Sequence, residues 1–195
     1  MTRSLPELWV LRHGQTEWNA EGRMQGRLDS PLTALGLAQA RAQNAILRRE
    51  LSGRTGAVTC LASPSGRAWR TAEIAIRGLD LTIAPDPDLQ EIDMGAWQGC
   101  RLTEIRAALP DAAAADPHLW KFDAPGGERL VDMVARVERL LGRLSGPTVL
   151  VTHGVTSRVL RSLALGRPVR EMAALPGGQG VVHHLRDGIA RLIAG

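Results

Sequence analysis

Short unbroken apolar runs alternate along the chain with longer stretches in which apolar residues return at every third or fourth position. The first run, "ELWVLRH" at residues 7–13, is continuous rather than alternating and predicts a buried strand. Residues 14–30 are polar and glycine-containing and predict a long loop. "SPLTALGLAQARAQNAILRREL" at 30–51 has helical spacing, with Thr33 as its N-cap. "GAVTCLASP" at 56–64 predicts a second strand broken by Pro64, and "SGRAWRTAEIAIRG" at 65–78 a helix closed by Gly78. Residues 81–99 begin as a short strand and turn irregular. A short helix follows at 101–110, then the brief low-complexity "DAAAAD", then a long amphipathic helix within 126–146. "PTVLVTHG" is a third strong strand and 155–166 a helix. "GVVHHL" and "GIARLIA" flank Asp187-Gly188 as a hairpin.

Strands alternating with helices predict an α/β sandwich with a mostly parallel sheet, organised as one domain over residues 1–195 with no linker and no repeat. In such sheets ligands bind beyond the carboxyl ends of the strands. Three places qualify: Arg12-His13, the segment from Ser63 to Arg67, and His153-Gly154.

Composition narrows the classes. The 195 residues are 44% hydrophobic, enough for a sizeable core. No apolar run approaches the roughly 18 residues of a membrane span, and no signal-peptide pattern precedes the first strand, so a cytoplasmic protein without membrane partners is expected. Cys60 and Cys100 lack any paired spacing and read as two inert thiols. The net charge of +4 comes almost wholly from arginine, Lys121 being the one lysine. With no tyrosine and one phenylalanine there is no interleaving of bases and aromatics, so the arginines read as a solvated surface and nucleic acid is not an expected partner.

The candidate chemistry gathers at the strand ends. "VLRHG" and "VTHG" each stop on His-Gly, and Arg67 opens the helix after the second strand, where free N–H groups and the macrodipole favour an anion. Two imidazoles and two guanidiniums at one sheet edge suit a phosphoryl group. Each residue alone has an ordinary structural reading; their joint occurrence carries the argument.

With its motifs "LRHGQTEWN", "GRMQGRLDSPLTALGLAQA", "ASPSGRAWRTAEI", "LQEIDMGAWQG" and "VTHGVTSRVL", in that order from Leu8 to about Leu165, the chain resembles the histidine phosphatase superfamily, the branch that includes phosphoglycerate mutases. The resemblance implies a three-layer α/β/α sandwich and a reaction without metal or cofactor. It implies that His13 is the nucleophile that becomes phosphohistidine. Arg12, Arg67 and His153 would bind the phosphoryl oxygens, Glu91 would donate the proton, and Asn19 would bond to phosphate or to the nucleophile's loop. Thr16 and Gln25 would line the pocket. Arg12 and Arg67 would lower the His13 pKa, and bound phosphate would raise that of Glu91, predicting a mildly acidic to neutral optimum.

Phosphomonoester hydrolysis on a small metabolite is favoured over mutase chemistry. The mutases that it resembles carry Arg-x-Tyr-Gly after the acid and a later Arg-Arg pair, whereas Glu91 is followed here by Ile-Asp-Met-Gly-Ala-Trp and no Arg-Arg pair follows before the long helix. Arg129 stands where the family often has serine, which leaves the start of that helix unexplained. Two other readings stay open: a metal hydrolase built on His13, His153, Glu91 and Asp93, and a non-catalytic binding module. So does a homodimer. Trp97 fits either core or pocket mouth. His118 and Trp120-Lys121 fall in an irregular region that could cover the site. His183 and His184 point to opposite strand faces and receive no role.

Overall fold

The computed structural model describes residues 5–54, 58–109 and 116–195. Six strands form one sheet: β1 (Leu8–Arg12), β2 (Thr59–Ala62), β3 (Ile83–Pro85), β4 (Thr148–Thr152), β5 (Val182–Arg186) and β6 (Ile189–Ile193), in the order β3-β2-β4-β1-β5-β6. The first four are mutually parallel; β5 runs antiparallel to β1, and β6 turns back along β5 as the second arm of a hairpin. The turn of that hairpin needs two left-handed residues, and Asp187 (φ 51°) and Gly188 (φ 74°) supply them. Residues 56 and 57 of the expected second strand, and 110–115 of the short helix end and low-complexity stretch, lie outside the described residues.

Successive residues of β1 serve opposite faces. Leu8 and Val10 join a core with the helices α5 (Leu130–Arg143) and α6 (Gly154–Ala164); Trp9 and Leu11 join a second core with α2 (Ala34–Glu50) and α3 (Gly66–Ala75). Both sets are fully buried, which is why the strand reads as a continuous apolar run. The sheet is thus the middle of three layers, as the resemblance implied.

The stretch 14–30 is not all loop. A four-residue helix, α1 (Glu17–Ala20), forms within it, closed by a capping box in which the Asn19 N–H donates to Thr16 Oγ1 and the Thr16 N–H to Asn19 Oδ1, both at 3.2 Å. Thr33 does cap α2, accepting from the Gly36 N–H at 3.0 Å. Arg129 gives α5 no side-chain cap. That end is held instead by Glu128, buried with Arg136 at 2.6 Å, and by its own N–H donating to the Asp93 carbonyl at 2.9 Å. A short helix α4 (Leu102–Ala108) lies between β3 and α5. Among the described residues no helix is long and apolar enough to cross a membrane, and both cysteines are free.

Candidate active site

Strand register sets the site. Arg12 pairs with Thr152 and Ala62 with Val151, so His13, His153 and Ser63 leave three neighbouring parallel strands at nearly one level. The two imidazole centroids are 5.1 Å apart, edge to face. The chain after β1 is fixed from several sides. Gln43 of α2 donates to the Arg12 carbonyl at 2.9 Å, Gln179 to the His13 carbonyl at 3.0 Å, and the Gly14 N–H donates to Thr71 Oγ1 of α3 at 3.1 Å.

His13 is buried, and its Nδ1 donates to the Gly14 carbonyl at 2.7 Å. That bond fixes the neutral tautomer with a lone pair on Nε2, which accepts from Arg67 Nε at 3.3 Å. Burial, then the nearby His153, Arg12 and Arg67, push the His13 pKa well below its usual value; the Gly14 carbonyl opposes this. The expected direction holds, but burial leads rather than the arginines.

The arginines differ sharply. Arg67 is heavily committed: besides His13 it donates to the carbonyls of Leu28 (2.6 Å) and Gly26 (2.8 Å), and it pairs with Asp29 at 2.9 Å. Asp29 also accepts from the Arg67 N–H at 3.2 Å. The α3 N-terminus, read from the sequence as an open anion site, therefore already has a carboxylate of the protein on it. Arg12 is the opposite case: its guanidinium has no hydrogen-bond or ion-pair partner among the described residues, and its Nε is buried. Glu91 is its opposing charge but makes no ion pair with it, and a buried cation without a bonded acid is an unfinished ion pair.

Glu91 sits at the other helix N-terminus. Its carboxylate accepts from the N–H groups of Val155 (3.2 Å) and Thr156 (3.1 Å) and from Thr156 Oγ1 (3.0 Å). Burial raises its pKa, but the bonds from Thr156 and Val155, the Arg67 charge and its own bond to the Ile92 N–H outweigh burial and hold it below the usual carboxylate value. The ligand-free enzyme thus carries Glu91 ionised.

Of the other expected residues, Asn19 and Gln25 line the same cavity of about 170 Å³ as Arg12, His13, Arg67 and Glu91. Thr16 does not line it: its buried hydroxyl accepts from the Asn19 backbone N–H and from Gln25 Nε2 at 2.9 Å, and its own N–H donates to Asn19 Oδ1, so it orients both side chains instead of meeting a ligand. His153 is buried behind His13, with Nε2 2.8 Å from Ser63 Oγ and Nδ1 without a partner. Burial, then Arg67, Arg12 and Arg136, push its pKa well down. Trp97 packs on Trp120 at 5.6 Å and belongs to the core. His183 meets Arg161 and His184 meets Glu7 and stacks on Trp9, on opposite faces. Asp93 turns to the Gly95 N–H at 2.8 Å, and no group of three or more His, Cys, Asp or Glu side chains among the described residues could hold a metal ion.

Sequence reasoning assigned no role to Gln43, Gln179 or Asp29. Gln43 did leave a signal, a polar residue on the buried face of an otherwise apolar helix. Lys121 lines the cavity too, and its signal was being the one lysine in an arginine-rich chain. A larger apolar cavity of about 800 Å³, bordered by Leu119, Phe122 and Val134, contains none of the strand-end residues.

Gly14 is required by space. A Cβ there would lie 2.2 Å from the Gly36 carbonyl oxygen, so α2 can approach His13 only over a glycine. Gly14→Ala is expected to cost about 1–3 kcal/mol, the range for overpacking, and to displace His13. A fall in the urea midpoint accompanied by lost activity checks this; unchanged values for both would contradict it.

A family model described as the histidine phosphatase superfamily (branch 1) matches residues 8–187. Glucosyl-3-phosphoglycerate phosphatase of Mycobacterium tuberculosis is 35% identical over 190 residues, covering 89% of this chain and 81% of the relative. A Proteus mirabilis protein named "Probable phosphoglycerate mutase" is 33% identical over 174 residues, covering 83% and 76%. The solved structure of a mycobacterial glucosyl-3-phosphoglycerate phosphatase in complex with VO3 superposes with a TM-score of 0.77 at 34% identity, covering 97% of each chain. The chain therefore belongs to the histidine phosphatase superfamily, branch 1, and is a phosphohydrolase of that superfamily.

Proposed function

We propose that the protein hydrolyses a phosphomonoester of a small metabolite, without metal, through a phosphohistidine at His13. The observation that carries this reading is the pairing of a neutral imidazole, its Nε2 lone pair fixed by the Nδ1–H bond to Gly14, with an Arg12 guanidinium that has no hydrogen-bond or ion-pair partner among the described residues. In the first step Nε2 attacks phosphorus and the ester P–O bond breaks. The Arg67 N–H that meets Nε2 turns to a phosphoryl oxygen, and Arg12 supplies the main uncommitted charge. Asn19 adds a donor, since Nδ2 takes part in none of the bonds that fix Oδ1. The dianion favours a proton on His153, whose Nδ1 is free to donate. Glu91 gives its proton to the leaving oxygen, then takes one from the water that attacks phosphohistidine, releasing phosphate and restoring His13.

Hydrolysis rather than mutase transfer is supported by the absence of any tyrosine and of an Arg-Arg pair between Glu91 and α5. The mycobacterial relatives are named for one phosphorylated metabolite; for this chain the proposal extends to the class. A cytoplasmic, single-domain enzyme that does not bind nucleic acid is part of the same proposal. The test is phosphate release from phenyl phosphate at pH 6–7 in excess EDTA. Turnover unchanged by the chelator is expected; turnover lost with EDTA and restored by a divalent metal would overturn the reading.

A further inference from the structure

Phosphoryl transfer as proposed leaves one charge at the site unused. Lys121 is the one lysine among 24 basic residues, and it lines the cavity that holds His13, Arg12 and Glu91. Two other cations there have acids of their own: Arg67 pairs with Asp29 at 2.9 Å and Arg23 with Glu21 at 2.7 Å. Arg12 and Lys121 make no ion pair among the described residues and share the field of a single acid, Glu91; the phosphoryl group answers Arg12. Lys121 Nζ meets His118 Nδ1 at 3.1 Å, and the Trp120 ring centroid lies 5.7 Å away. Burial, the Lys121 charge and Arg158 bring the His118 pKa down to about 4 against the pull of Asp116 and Glu91, so at neutral pH it accepts a hydrogen bond without supplying charge. Arg158 also makes no ion pair among the described residues: it donates to the Gly154 carbonyl at 3.2 Å, its buried Nε has no partner there, and Glu91 is again its opposing charge.

The ammonium is therefore a desolvated cation in a cationic neighbourhood. Burial brings its pKa down to about 8; Glu91 opposes the fall, and Arg158, Arg12 and Arg106 add to it. Such a group gains more from an incoming anion than a solvated surface lysine does, because its water has already been removed. We propose that Lys121 is a specificity-determining residue that receives a second anionic group, a carboxylate or a further phosphate, carried on the alcohol portion of the ester. This rests on the phosphomonoesterase reading and names its substrate class. At about 170 Å³ the cavity is small, so the second anion must lie close to the ester. An ammonium with three rotatable donors accepts either anion geometry.

The test compares kcat/KM for phosphate release from 3-phosphoglycerate and glycerol 3-phosphate, which differ by a carboxylate in place of a hydroxymethyl group. 1,3-Propanediol bisphosphate separates a carboxylate preference from a phosphate one. The wild type is expected to prefer at least one doubly anionic ester. Lys121→Met lowers that preference ratio by about 10- to 100-fold, the range for a hydrogen bond to a charged group, and Lys121→Arg, the folding control, keeps most of it. A wild type without the preference, or a ratio unmoved by Lys121→Met, overturns the inference alone. A wild type that releases phosphate from none of these esters and none from phenyl phosphate overturns the phosphomonoesterase reading, and the inference with it.

Discussion

His13→Ala is expected to lower phosphate release from phenyl phosphate by about 10⁴-fold or more, the scale on which removal of a nucleophile acts in covalent catalysis. The expectation follows from the arrangement around one ring. Nδ1 is committed to the Gly14 carbonyl, Nε2 faces the cavity, and burial keeps the imidazole neutral. The second imidazole and the buried thiol lack this access: His153 has its Nε2 against Ser63, and Cys60 is buried with its thiol pushed up to about 12. Acid quenching would hydrolyse a phosphohistidine, so the intermediate is sought by alkaline quench with labelled substrate. Label on wild type and none on the variant is the expected result. A variant that keeps its turnover, or that labels as well as wild type, would sink His13 as nucleophile. The fold is expected to survive, because the bonds that tie this turn to α2, α3 and Gln179 are made by the backbone of residues 12–14, and the imidazole adds only its bonds to the Gly14 carbonyl and Arg67.

The sequence was most legible where one residue type has one job. The runs that end in Arg12-His13 and His153 are buried on both faces, so they read as strands, and the register of parallel strands then brings their ends together without further information. The hairpin was legible because Asp187-Gly188 must both be left-handed. What was not legible depends on contacts between distant segments. α1 is four residues long and its capping box closes on Asn19 rather than on Glu or Gln, so it looked like loop. The N-terminus of α3 looked open because Asp29 lies 38 residues from Arg67. Thr16 stands in the right segment, but it faces Asn19 and Gln25 and not the cavity. The ionised state of Glu91 depends on the N–H groups of Val155 and Thr156, 64 and 65 residues later. Composition says nothing about such pairings; they exist only once the layers pack.

Glu91→Gln is expected to lower glycerol 3-phosphate hydrolysis by about 10²- to 10⁴-fold, the contribution of a positioned general acid, and nitrophenyl phosphate hydrolysis far less. The contrast is chemical: an alkoxide cannot leave without a proton, whereas nitrophenolate can. Glutamine keeps an acceptor for the Thr156 N–H, so the helix end is not left bare, as alanine would leave it. The same residue sets the pH dependence. Glu91 is held below the usual carboxylate value in the free enzyme, so at neutral pH its proton has to arrive with the substrate or be favoured by the bound dianion. A phosphomonoester loses its own proton near pH 6, so kcat/KM for the alkyl ester falls as pH rises above about 6. The His13 pKa lies well below its ordinary value, so protonation of the nucleophile takes little activity until the medium is distinctly acidic. The optimum is therefore mildly acidic, and its alkaline limb belongs to the proton that Glu91 must carry. Equal losses on both esters in Glu91→Gln, or a flat wild-type profile between pH 5 and 9, would remove Glu91 from the acid role.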